Sequence, residues 1–291
     1  MTMDNFNKNG INFLVTPGLR IVLVFLTWIV GSIMMVFLSL VLSRMFGDNQ
    51  VSFLRVSTVF QDILMWIVPA VATAMIITRQ PASLLAIDRL PTGRQTLLGV
   101  ILLIVSTPFM SWIIKLNSEM HLPESMSALE EALRQMETNA EQVVAALLSA
   151  DTPGAIIVNL LIIGVMAGFS EELFFRGALQ RIMASGKLPV HAAIWITAII
   201  FSAMHFQFFG FIPRMLLGAA FGYLLWWSGS VWLPMLIHTL NNSMFVVLYS
   251  ITGSGEPDIE GSTSWVAVLL SVVFTALTIL ALSKSRRPSN V

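Results

Sequence analysis

The sequence predicts an all-α polytopic integral membrane protein, a bundle of about eight transmembrane helices with one acidic amphipathic helix outside the membrane between spans three and four. Three observations carry this. The 291 residues are 56% hydrophobic and 11% charged, with mean hydropathy +0.82, far from the roughly 25% charge of a soluble domain. Apolar stretches near the roughly 20 residues that a crossing helix needs recur along the chain. The single long polar interruption keeps a helical spacing of its apolar residues.

In order, the stretches are residues 19–44, 58–78, 95–116, 154–184, 190–208, 212–228, 231–251 and 263–283. The first is too long for a signal-peptide core and has no small-residue cleavage pattern after it, so it is expected to be a retained span. Pro69 and Pro108 fall inside the second and third, where neighbouring helices can satisfy the carbonyls that a proline frees. The fifth and sixth are short and meet at Gln207-Phe208-Phe209-Gly210-Phe211-Ile212-Pro213, which reads as a tight or partly re-entrant turn. The whole of 1–291 is expected to form one integral domain, with a catalytic core within 154–251. Gly164/Gly168 and Gly218/Gly222 have the spacing that lets helices pack closely.

The interruption, 117–153, places Met126, Leu129, Leu133, Met136, Val143, Val144 and Leu147 among Glu124, Glu130, Glu131, Glu137 and Glu141. Its acidity argues against adsorption to anionic lipid. It is expected to cap the bundle; the alternative is a gate for substrate.

Sixteen basic residues balance sixteen acidic ones, so nothing points to nucleic acid. Their distribution is informative. With the N-terminus inside, the inner side collects Lys8, Arg20, Arg79, Arg89, Arg94, Arg181, Lys187, Lys284, Arg286 and Arg287, against Arg44, Arg55, Lys115, Arg134 and Arg214 outside. The positive-inside rule then places both termini in the cytoplasm of a cell membrane. Glu256, Asp258 and Glu260 fall in an outer loop without Lys or Arg. The chain has no cysteine, which excludes disulfides, thiolate nucleophiles and thiolate metal sites.

Charges inside a span are costly, roughly +2.5 to +3.5 kcal/mol each on insertion scales, so they normally face protein and serve a function. Here they cluster: Asp62 in span two, Asn159, Glu171, Glu172 and Arg176 in span four, His205 in span five, and His238, Asn241 and Asn242 in span seven. Glu172 and Arg176 are i and i+4 and can pair, whereas Glu171 points about 100° away. His238 and Asn242 share one helix face and can aim at a single atom. Two carboxylates, two histidines and an amide suit hydrolysis by activated water, with an acidic residue taking the proton and donors holding the oxyanion. Asp62 either faces this cavity or sits near water at the end of its span.

Glu171-Glu172-x-x-x-Arg176, Phe201-x-x-x-His205 and His238-x-x-x-Asn242, in this order on successive apolar segments, resemble the CPBP family of intramembrane proteases. That family includes type II CAAX prenyl endopeptidases and bacteriocin-processing or immunity-type proteins. The resemblance covers 171–242. It implies a glutamate-dependent, metal-independent endopeptidase with no cofactor beyond a water activated by Glu171 and His205. By the same resemblance His238 and Asn242 form the oxyanion hole, Glu172 and Arg176 support them, and the site opens to the cytoplasm. The expected partners are membrane lipid and a peptide or membrane-protein substrate, with or without a lipid modification.

Two other readings stay open. Glu171, His205 and His238 could form the two-histidine, one-carboxylate site of a metal-dependent membrane protease, although no His-Glu-x-x-His is present. The same polar residues could instead hold together a catalytically silent scaffold or immunity-type binding protein. A proton-coupled transporter is disfavoured, because no inverted repeat is visible.

Overall fold

The computed structural model describes residues 11–149, 152–253 and 264–286. Lys8 and Arg287 of the charge count, and the outer-loop Glu256, Asp258 and Glu260, lie outside the described residues. The described helices are α1 (Pro17–Phe46), α2 (Gln50–Ile77), α3 (Pro81–Leu84), α4 (Gly93–Ser118), α5 (Ser127–Leu148), α6 (Pro153–Ala184), α7 (Val190–Ala203), α8 (Phe211–Ser228), α9 (Trp232–Thr252) and α10 (Trp265–Lys284).

Among the described residues six helices are long and apolar enough to cross a membrane: α1, α2, α4, α6, α10, and α8 together with the turn from Phe208 that leads into it. The chain is a multi-pass membrane protein. The expected fifth and seventh spans stand apart from these six for separate reasons. α7 has 14 residues, about 21 Å at 1.5 Å per residue, which falls short of a hydrocarbon core of roughly 30 Å. α9 has the length, 21 residues, but carries His238, Asn241 and Asn242, and these polar groups lower its hydropathy.

Hydrogen bonds fix which helix ends lie together. Arg20 reaches Ser185, and Gln95 reaches the carbonyls of Trp227 and Ser285. The start of α1 and the ends of α6, α8 and α10 thus share one end of the bundle. At the other end, Asn117 bonds the carbonyl of Phe208 and the N–H of Ile212. There α4 finishes, the α7–α8 hairpin turns, and α5 lies across the turn.

α2 and α6 are not uniform helices. α2 passes through a π-helical turn at Asp62–Ile67, and α6 through two, at Leu160–Met166 and Leu173–Gln180. Such turns insert a residue into the helical register and recur at functional sites. Val68 N–H bonds Ile63 O and Ala167 N–H bonds Ile162 O, five residues back, passing over the carbonyls of Leu64 and Ile163. The displaced Leu64 carbonyl faces Gly31 of α1, where any Cβ would collide with it.

The core is aromatic where α2, α6 and α7 meet. Trp66 packs on Phe174 and Phe175 at centroid distances of 5.3 and 5.2 Å, and Phe175 meets Phe201 edge-on at 5.1 Å. Gly164 and Gly168 face Ser243 and Thr239, so α9 approaches the α6 backbone closely. A Cβ on Gly168 would stand 2.8 Å from the Thr239 nitrogen. Pro108 of α4 is accommodated by α10: Ser271 Oγ donates to Val105 O at 2.5 Å and accepts from Phe109 N–H at 3.1 Å.

Candidate active site

α6 carries the axis of the site. Glu172 and Arg176, both 0% exposed, pair at 2.8 Å as their four-residue spacing allows. Arg176 also donates to Gly218 O at 2.9 Å, and one turn on Gln180 donates to Gly222 O at 3.1 Å. This ladder makes α6 and α8 run parallel in register, so that Arg214 comes level with the Glu171–Glu172 turn. It needs glycine at 218, where a Cβ would meet the Arg176 guanidinium at 3.1 Å. The guanidinium lies 4.6 Å from the centroid of Phe201 and 5.4 Å from that of Phe221, contacts that favour a cation when water is excluded.

Glu172 has a second partner that its spacing did not announce. His238 Nδ1 is 2.9 Å from the same Oε1 that Arg176 holds. A carboxylate can only accept, so Nδ1 carries hydrogen and Nε2 is turned the other way, where Glu171 Oε2 stands at 3.9 Å. His238 therefore bridges the two glutamates. Its ring stacks on Phe221 at 4.7 Å and meets the edge of Phe201 at 6.1 Å.

His205 approaches the other edge of Phe201, at 5.0 Å. Its Nδ1 is 2.8 Å from Phe201 O, so Nδ1–H donates to that carbonyl and Nε2 of the neutral ring is left as an acceptor. Among the described residues no direct bond joins His205 to Glu171. Phe206, immediately after it, has φ of 55° and is 71% exposed, a strained residue in the tight turn that ends α7.

Asn242 Nδ2 donates to Ile163 O at 3.2 Å, and its Oδ1 accepts from Asn241 at 3.3 Å. Ile163 is the carbonyl that the π turn passes over. One N–H of the Asn242 amide remains for another acceptor.

Three further residues join the site: Asp62, for which the sequence left two places open, and Glu137 and Arg214, to which it gave no part in the site. Asp62, 2% exposed, faces the site, where Ser170 bonds its Oδ1 at 3.1 Å. Glu137 of α5 accepts from Gln207 Nε2 at 3.1 Å and from Phe209 N–H at 3.2 Å, holding the turn beside His205. Arg214 is bonded to Gln207 at 2.8 Å. Polar spacing within one span could not join elements so far apart in the chain, and only the net polarity of Asp62 in an apolar run flagged it.

Glu171 has a side-chain exposure of 16%, while every residue from Glu172 to Ala184 is buried. The buried run leads toward the end of the bundle where Arg20 meets Ser185, and the turn that α5 covers lies at the other end.

A family model described as type II CAAX prenyl endopeptidase Rce1-like matches residues 153–244. The chain carries a CAAX-endopeptidase-like domain. That domain includes α6 to most of α9, and with them Glu171, Glu172, Arg176, His205, His238 and Asn242, while Asp62 and Glu137 lie outside it. The uncharacterized protein YpbD of Bacillus subtilis (strain 168) is 27% identical over 93 residues, 31% of this chain and 44% of that protein's length. The matching chain segment thus spans less than half of that relative. No solved structure matches the chain.

Proposed function

We propose that this CAAX-protease-like membrane protein is an intramembrane endopeptidase that hydrolyses a peptide bond with a water activated by Glu171 and His205. The observation that carries the reading is the Glu172–His238 bond of 2.9 Å, which turns Nε2 of His238 toward Glu171 and the remaining polar groups.

In this reading the water donates one hydrogen bond to Glu171 and a second to Nε2 of His205. Its oxygen attacks the carbonyl carbon as its proton passes to Glu171. The oxyanion is held by the free Asn242 N–H and by Nε2–H of His238. Donation from Nε2 as well as Nδ1 requires the imidazolium form, and the carboxylates of Glu172 and Glu171 balance that charge. When the C–N bond breaks, Glu171 returns the proton to the leaving amine. Arg176 and Glu172 position His238. No metal or cofactor enters the scheme. The substrate is a peptide or membrane protein in contact with lipid, with or without a lipid group.

The test is Glu171→Gln, which keeps shape and removes the base. Full-length protein and the variant are expressed in membranes, and the peptides that accumulate uncleaved are compared. The expected result is a loss of cleavage of about 100-fold or more, in line with general-base removal, with wild-type cleavage surviving a strong chelator. Undiminished cleavage by Glu171→Gln would overturn the proposal, and loss of wild-type cleavage on chelation would favour the metal-dependent reading.

We further infer a cell membrane with both termini cytoplasmic, on the ten-to-five distribution of basic residues. The site then faces the opposite side.

A further inference from the structure

Asp62 is the buried acidic group to which the proposed mechanism gives no part. It sits at the start of the π turn in α2, against the Ser170–Glu172 turn of α6. Among the described residues it forms no ion pair, and its Oδ2 has no hydrogen-bond partner. None of the basic groups on the helices around it pairs with it among the described residues, although Arg55 and Arg176 each keep one buried nitrogen without a hydrogen-bond partner. Arg55, on its own helix, bonds Asn159 at 3.1 Å. Arg176 is taken by Glu172 and Gly218. α1 brings no titratable residue between Arg20 and Arg44. Glu171 stands within electrostatic reach and has the same sign.

The hydroxyl of Ser170 shows how the conflict resolves. Its oxygen lies 3.1 Å from Asp62 Oδ1 and 3.3 Å from Ala167 O. Both neighbours are acceptors if Asp62 is ionised, yet a serine has one hydrogen to give. If Asp62 carries a proton on Oδ1, it donates to Ser170 Oγ, and Ser170 in turn donates to Ala167 O. Both contacts are then satisfied, and the unpartnered Oδ2 becomes a neutral carbonyl oxygen instead of a bare buried charge, which is far less costly.

We propose that Asp62 is a third carboxyl group of the site, sharing one proton and one negative charge with Glu171. Beside a like charge in an apolar site, a carboxyl without a cation of its own does not ionise as well. The proton rests on Asp62, relayed onto Ser170, and the charge rests on Glu171, beside His238. Asp62 is thus a positioning residue that keeps Glu171 as the ionised member of the pair. Its catalytic consequence rests on the base role proposed for Glu171; the sharing of the proton does not.

Infrared spectroscopy of the full chain in lipid, with aspartate carboxyls isotope-labelled, reads this without substrate. Wild type is expected to show a label-sensitive band of a protonated aspartate at pH 7, absent from Asp62→Asn. In Glu171→Gln, with the like charge removed, that band is expected to titrate away at a pH lower by about one unit or more. Absence of the band at pH 7 in wild type would overturn the proposal, as would a midpoint that Glu171→Gln does not move. If Asp62→Asn fails to assemble, the comparison of wild type with Glu171→Gln alone decides.

Discussion

Arg176 is the residue whose surroundings are most completely specified. Its guanidinium is buried, paired with Glu172, bonded to the Gly218 carbonyl and enclosed by Phe201 and Phe221. Removing one partner of a buried pair typically costs about 3–5 kcal/mol, because the other charge is left uncompensated. Arg176→Met is therefore expected to lower the unfolding temperature in detergent markedly, and Glu172→Gln combined with it to restore part of the loss; additive losses in the double variant would contradict this. The pair was legible from i,i+4 spacing alone. The second use of Glu172, by His238, was not, because it joins residues 66 positions apart and spacing reports only neighbours on one helix. Asn242 was legible as a donor on the face of His238, but its bond to Ile163 depends on a carbonyl that a regular helix would have kept for itself.

At the scale of elements, one acidic residue, Glu130, fastens the start of α5 to the segment before it. Glu130 accepts from Leu122 N–H at 2.8 Å, from Arg134 at 2.9 Å and from His121 at 2.9 Å. The Leu122 bond first, then those of Arg134 and His121, hold its carboxyl down at about 2. Arg134 in turn lies 4.0 Å over the ring of Phe209, in the turn beside His205. Because the folded carboxyl is the stronger acid, this contribution is complete above the ordinary glutamate range, near 4.5, and is lost as pH falls toward about 2. Protection against hydrogen exchange at residues 120–134, taken relative to the intrinsic rate at each pH, is expected to fall across that window in wild type and to be low throughout in Glu130→Gln. An amphipathic helix over 123–148 could be read from its periodicity. Where it lies could not, because the bonds of Glu137 to Gln207 and Phe209 depend on folding of the whole chain.

For the whole molecule, the decisive fact is that the start of α1 and the end of α10 lie at one end of the bundle and the turn beside His205, which α5 covers, lies at the other. The apolar runs made the number and character of the helices readable, since length and hydropathy are local properties. The short α7 was foreshadowed by the turn residues after it, but the depth it gives His205 follows from contacts with α8. The positive-inside reading therefore carries a consequence for access. As the chain has no cysteine, Glu171→Cys in intact cells gives a single label site. A membrane-impermeant thiol reagent is expected to modify it from outside, and labelling only after the membrane is opened would reverse the inferred orientation.

The π turns of α6 also alter how that helix can be read position by position. Each adds a residue beyond α-helical repeat, so a wheel drawn through Pro153–Ala184 with one constant angle loses phase twice. Asn159, Glu171 and Ile182 belong to three separately phased segments. A tolerance profile from scanning substitution along α6 would consist of three short sinusoids with offsets at 160–166 and 173–180. A single residue deleted at either place would close the wide turn to an ordinary α turn and leave the segments beyond it in place, whereas the same deletion between the two turns, at 167–170, would turn the chain beyond it by about 100°.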